Sequence, residues 1–166
     1  ANQRGFRDWL TRHYPNDRAL QRAWNHPEAT REHAGVPLKR DRVQARLGAL
    51  RDPREEQRVI DFYEYNSDLV AETITTLATA VKESTGGHKT VGVFYGYILQ
   101  LCGQQRQQNA GHLALGKVLD SPDVDFLCSP TSYAFRQVGG EGTCHYMSLF
   151  GSVKGHGKLW FNENDV

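Results

Sequence analysis

Apolar residues recur at helical spacing through the first half of the chain and gather into short continuous runs in the second. "GFRDWLTRHY" places Phe6, Trp9, Leu10 and His13 on one helical face. Asn16-Asp17 offers a cap for a second short helix, "DRALQRAWN". From His26 to Arg51 the chain is charged and carries Pro27, Gly35 and Pro37, which predicts an irregular excursion with one helical piece in "RDRVQARLGAL". Asp52-Pro53 has the form of a helix start. The pattern then stays helical to Ser84, with Ile60, Tyr63, Ser67, Val70, Ile74, Leu77 and Val81 on one stripe, until Gly86-Gly87 ends it.

The run "KTVGVFYGYIL", Lys89 to Leu99, predicts a strand buried on both faces. "GQQRQQNAG" is a polar loop and "GHLALGKVLDSP" a short helix closed by Ser121-Pro122. A second buried strand is expected over Val124 to Cys128. A glycine-rich loop, "TSYAFRQVGGEGT", and a helix in "CHYMSLFGSVKGHG" follow. A third strand runs from Lys158 to Phe161. Three short apolar strands separated by helical crossovers predict an α/β fold with a parallel sheet. The expected organisation is one domain over 1–166, with a helical and irregular segment over 1–51 and a βα portion over 52–166.

In βα proteins chemistry collects at the carboxyl ends of the strands. The first end here carries Tyr95, Gly96 and Tyr97, and the second carries Ser129, Pro130, Ser132, Tyr133 and Arg136. The third runs from Leu159, Trp160 and Phe161 straight into Asn162, Glu163, Asn164 and Asp165. Aromatic faces stack on sugar rings, amides and charged groups bond hydroxyls, and a carboxylate at such a mouth is placed for nucleophilic or acid–base work. His112, at a helix start after a strand-end loop, is within reach of the same mouth. A polar loop after a strand is the plainer reading of these residues.

Composition narrows the alternatives. With 166 residues, 39% hydrophobic and 10% aromatic, the chain can bury a core. A net charge of +1 gives no global field toward nucleic acid or membrane, and "PLKRDR" and "GQQRQQ" are too short and interrupted for a nucleic-acid patch. No apolar run approaches the roughly 20 residues of a membrane span. No signal peptide stands at the start, though a mature chain would have lost one, so the location of a soluble chain stays open between cytoplasmic and secreted. Cys102, Cys128 and Cys144 form neither a disulfide framework nor a CxxC zinc pair. "GGHKT" and "GSVKGHGK" lack phosphate-loop spacing and follow helices rather than strands. His145 and His156 are too far apart to converge on zinc. No cofactor and no metal is implied.

Three segments resemble a known family. "FRDWLTRHYPNDRALQRAWN" resembles the segment after the fourth strand in family 42 glycoside hydrolases, the β-galactosidase-like TIM barrels of clan A. "GHLALGKVLDSPDVDFLCSPTSYAFRQVGGEG" and "SVKGHGKLWFNEND" resemble that group's sixth and seventh strand regions. The resemblance implies a partial (β/α)8 barrel, strands five to seven, with retaining chemistry on β-linked glycosides. It implies Glu163 as nucleophile, Tyr133 as its neighbour, and Tyr95 and Tyr97 where substrate contacts are expected; His112, Arg136 and Asn162 are further candidate substrate contacts from their place at the same mouth.

The family's acid/base glutamate belongs to an Asn-Glu pair upstream of the first segment, whereas Asn162-Glu163 is the only such pair here. Asp165 is then the most available second carboxylate, with Glu141 as another. The implied partner is a carbohydrate, and a partial barrel is expected to associate with copies of itself through open edges or apolar faces. Two rival readings remain: a non-catalytic carbohydrate-binding or structural fragment, and a metal-assisted hydrolase using His112, Glu163 and Asp165.

Overall fold

A computed structural model of the chain describes residues 2–43, 50–98, 109–131, 138–139 and 146–163. These residues group into two compact units, Ala1–Asn66 and Ser67–Val166. The boundary falls inside the longest helix.

The first unit contains α1 (Asn2–His13), α2 (Asp17–Trp24), α3 (Lys39–Val43) and the first half of α4 (Pro53–Ser84). Phe6, Trp9 and Leu10 are buried as the spacing predicts, with Leu20, Val59, Phe62, Tyr63 and Tyr65. The His13 ring stacks on Trp9 at 3.6 Å. Asn16 caps α2 through a bond from the Ala19 N–H, 2.9 Å. The carboxylate of Asp52 caps α4 through the Arg54 N–H, 3.0 Å. Gly5 allows close approach, because a Cβ there would lie 2.5 Å from the Tyr65 hydroxyl oxygen.

Two polar devices hold this unit. Asp61, 2% exposed, accepts from Tyr14 Oη at 2.8 Å, Trp24 Nε1 at 2.6 Å and Gln57 Nε2 at 2.7 Å. Burial and the adjacent Asp61 charge push the Tyr14 hydroxyl well above the ordinary phenol range. The irregular segment after α2 satisfies its carbonyls with long side chains rather than a ladder. Arg7 donates to Ala34 O, Gln21 to Ala29 O and Arg58 to Gly35 O. Arg31 joins Asp17 and Tyr14 O.

The second unit is α/β, from the end of α4 through β1 (Gly92–Phe94), α5 (Leu115–Leu119), β2 (Phe126–Pro130), α6 (Phe150–Gly155) and β3 (Leu159–Glu163). The sheet has three strands in the order β1-β2-β3, all parallel. Phe94 pairs with Cys128 and Cys128 with Phe161; Ser129 pairs with Asn162 and Pro130 with Glu163. Val93, Tyr95, Leu127 and Trp160 pack with Ala71, Ala78, Leu115, Val118, Leu119 and Val153 of the helices. Among the described residues no helix is long and apolar enough to cross a membrane.

Three expectations are corrected. The apolar run Lys89 to Leu99 yields only the strand Gly92–Phe94, because the backbone turns at Gly96 with φ +84°. A Cβ at Gly96 would also meet Leu115 Cδ1 at 2.8 Å. That strand is not buried on both faces: Phe94 is 54% exposed on the side away from the helices, where Leu159 and Phe161 of β3 are also 52% and 50% exposed. On α4 the buried line passes through Ser67, Ala71 and Ala78, while Leu77 and Val81 face solvent.

Asp125 ties the amino-terminal ends of the strands together. Its N–H donates to Val91 O at 2.8 Å and its carbonyl accepts from Leu159 N at 3.0 Å. Its carboxylate accepts from Val91 N at 2.7 Å and Lys82 Nζ at 2.6 Å. The Lys82 ammonium, then the Val91 N–H, holds this carboxyl below its ordinary value. Asp125→Ala is therefore expected to lower stability by about 2 kcal/mol, the loss of charge-assisted bonds. Urea unfolding followed by circular dichroism checks this.

Candidate functional site

The carboxyl end of the sheet gathers the polar and aromatic residues singled out in the sequence. At the end of β1, Tyr95, Tyr97 and His112 form one cluster. The His112 ring lies 4.8 Å from Tyr95 and 4.9 Å from Tyr97, centre to centre. Its Nδ1 accepts from the Tyr97 backbone N–H at 3.0 Å. Burial lowers the His112 pKa, so the ring is neutral at pH 7. With Nδ1 accepting, Nε2 carries the proton, and the ring offers a donor there.

Tyr95 is placed differently from the sequence expectation. It is 1% exposed and belongs to the helix-side core. Its hydroxyl donates to Gly111 O at 2.7 Å, and burial pushes its pKa up to about 12. Its carbonyl accepts from Ser148 Oγ at 3.3 Å. Tyr95 therefore fixes the strand-end turn and the ring of His112, rather than presenting a hydroxyl to solvent. Tyr97 and His112 are the partly exposed members of the cluster.

At the other edge, Glu163 ends β3 opposite Pro130 and is exposed. Side chains alternate along a strand, so Glu163 shares its face with Phe161, while Asn162 shares the helix side with Trp160. Burial, with the negative charge of Glu163 nearby, raises the Cys128 thiol pKa, so that sulfur stays protonated. Asn162 Oδ1 and the Ser129 hydroxyl are both buried beneath this rim. Tyr146, Phe150 and Trp160 form an aromatic group alongside, with Tyr146 and Trp160 ring centres 4.5 Å apart.

The structure thus brings Tyr95, Tyr97 and His112 together and places Asn162 and Glu163 on the same sheet end, on opposite faces. Tyr133, Arg136, Asp165 and Glu141 lie outside the described residues. Among the described residues no group of three or more His, Cys, Asp or Glu side chains is arranged to hold a metal ion. Ser129, named in the sequence at the second strand end, is fully buried and pairs with Asn162 in the ladder rather than opening to the mouth.

No family model, no curated protein and no solved structure matches this chain.

The neutral state of His112 has a measurable sign. Its folded pKa lies below the ordinary 6.5, so the unfolded chain takes up the proton more readily. Stability is full above pH 6.5 and falls as pH drops below it. A protonated ring also loses the Nδ1 acceptor for the Tyr97 N–H. His112→Asn, which keeps an acceptor but does not titrate, is expected to flatten the dependence between pH 7 and 5. Thermal melts across that range check it.

Proposed function

We propose that this chain is a portion of a glycoside hydrolase barrel, strands five to seven, and that Glu163 is the nucleophile of a retaining reaction on β-linked glycosides. The observation that carries the reading is the position of Glu163. It stands at the carboxyl end of a parallel strand, on the sheet face that the described helices leave bare. In a (β/α)8 barrel the helices pack outside and the opposite strand face lines the interior, with catalytic groups at the carboxyl ends. Strands in consecutive order with helices on one side suit that architecture better than a doubly wound sheet, which carries helices on both.

In this reading the Glu163 carboxylate attacks the anomeric carbon and the glycosidic oxygen leaves with a proton from a second carboxyl group. Water then cleaves the glycosyl ester. Asp165 is the proposed second carboxylate, Tyr133 orients the nucleophile, and Tyr97, His112 and Arg136 contact the sugar, while Asn162, on the helix side, does not face it. Tyr95 acts from behind, through His112. His112 Nε2–H is suited to a sugar hydroxyl oxygen.

Turnover of a panel of aryl β-glycosides by the chain and by Glu163→Gln, prepared identically, tests the reading. The variant is expected to lose at least about a thousandfold in kcat, as for removal of a nucleophile. Equal turnover in both would remove Glu163 from the chemistry.

The bare apolar face supports a second reading, a non-catalytic fragment that binds sugar or associates with its own copies. Phe94, Leu159 and Phe161 are each about half exposed there, beside outer strand edges that no further described strand pairs. That reading expects no turnover and a concentration-dependent rise in mass by sedimentation. Phe94→Ser with Phe161→Ser is expected to suppress the association.

A further inference from the structure

One flank of α4 is exposed and carries no charge. With about 100° between successive residues, the charged residues of its second half, Asp68, Glu72, Lys82 and Glu83, all fall on one side of the helix. That side borders α5 and β2. Asp68 pairs with Lys117 of α5 at 2.7 Å, and Lys82 and Thr79 reach Asp125 and Asp123, just before β2, at 2.6 and 2.5 Å. Ala71 and Ala78 look onto the sheet. The remaining arc, about 160° wide, presents Leu69, Thr73, Thr76, Leu77, Ala80 and Val81, every one of them exposed. Leu77, midway along it, is 62% exposed. A helix face meant for water is ordinarily charged or strongly polar, and this one runs for about four turns without a charge. The hydroxyls of Thr73 and Ser84 donate to Leu69 O and Val81 O at 2.7 and 3.1 Å, so both donors are satisfied inside the helix.

The same side of the unit holds an open strand edge. α4 leads into β1 through the turn at Gly86-Gly87, and its charged side borders β2. The uncharged flank therefore overhangs the outer edge of β1, with which no described strand pairs. Exposed edges are usually guarded by charges or proline. β1, Gly92–Phe94, carries neither, whereas β3 has Lys158 just before it and Glu163 at its end.

The lack of charge decides the occupant. A charged partner would bury its ions against a surface that has nothing to pair with them. A second copy of this flank brings no ion at all. A two-fold axis perpendicular to the sheet satisfies both features at once. It sets β1 antiparallel to β1 of the copy and α4 antiparallel beside its own copy, with Leu77 near the axis and Thr73 and Ala80 making room beside it.

We infer that two copies of this chain form a two-fold dimer through the uncharged flank of α4 and the outer edge of β1. The two three-stranded sheets join into one, antiparallel at the seam. The bare sheet face and Glu163 stay uncovered, so this surface differs from the one in the self-associating reading above. The helix contact is about 24 Å long and about 10 Å wide. That falls short of the about 800 Å² per partner in a standard interface, so the dimer is reversible, with a Kd in the micromolar range.

Sedimentation equilibrium of the full chain from about 1 to 500 µM, bracketing such a Kd, tests this beside Leu77→Lys, Leu77→Glu and Phe161→Ser. The wild-type chain is expected to pass from monomer to dimer and no further. Each Leu77 variant is expected to weaken dimerisation at least about tenfold, through like charges meeting at the axis. Its circular dichroism is expected to be unchanged, because position 77 faces solvent in the monomer. Mixed in equal amounts, Leu77→Lys and Leu77→Glu are expected to recover the dimer, which a merely structural role of Leu77 does not predict. Phe161→Ser, on the bare face, is expected to leave the equilibrium unchanged.

A monomer at every concentration would overturn the proposal. So would wild-type dimerisation in Leu77→Lys, a mixture that stays monomeric, or loss of association in Phe161→Ser alone. The glycoside reading is judged separately, by turnover in Glu163→Gln.

Discussion

The second unit depends on the hydrogen bonding of one residue, Asp125. Its backbone joins β1 to β2 and β2 to β3, and its carboxylate joins the start of β1 to the end of α4 through Lys82. A parallel sheet of three short strands has few ladder bonds, and its strands are distant in sequence. Fixing all three at one end sets the register from which everything at the other end follows. Lys158, whose ammonium group bonds Ser121 O at 2.5 Å, and Thr79, bonded to Asp123 at 2.5 Å, reinforce the same end. The polar end that holds the sheet and the end that bears the candidate chemistry are thereby separated.

That separation leaves the carboxyl end free to carry groups with little structural duty. Glu163 is exposed at the tip of β3, and Tyr97 and His112 are only partly covered. Tyr95 is the counterexample: it lies at the same end but turns inward, and its hydroxyl serves Gly111. A residue's place along a strand therefore says less about its role than the face it occupies. In the first unit the buried Asp61 is likewise consumed by three internal donors.

Local signals were legible in the sequence. Asp52-Pro53 and Gly86-Gly87 bracket α4 because capping and chain reversal are decided by neighbouring residues. The order of helices and strands in the second unit followed from alternating patterns, and Asn16 announced α2. What stayed hidden was non-local. The run around Val93 gives no sign that Gly96 will break it, or that one face of Phe94 and Phe161 will lack a cover. Leu77 and Val81 fit a helical stripe, but the sheet meets α4 along Ala71 and Ala78 instead. Asp61 and Asp125 look like ordinary acidic residues until distant donors converge on them. For Tyr133, Arg136 and Asp165 the sequence remains the source of the assignment.

The pairing of β3 with β2 also acts as a phase. Leu159 is locked to Asp125, so every later residue of the strand inherits an inward or outward direction from that one contact. Deleting a single residue from the turn around His156–Lys158 changes neither the strand's composition nor its hydropathy. It would nevertheless invert the strand, driving the carboxylate of Glu163 toward the apolar layer and turning the amide of Asn162 outward. Turn length, more than the identity of any turn residue, is what evolution or an engineer must preserve here.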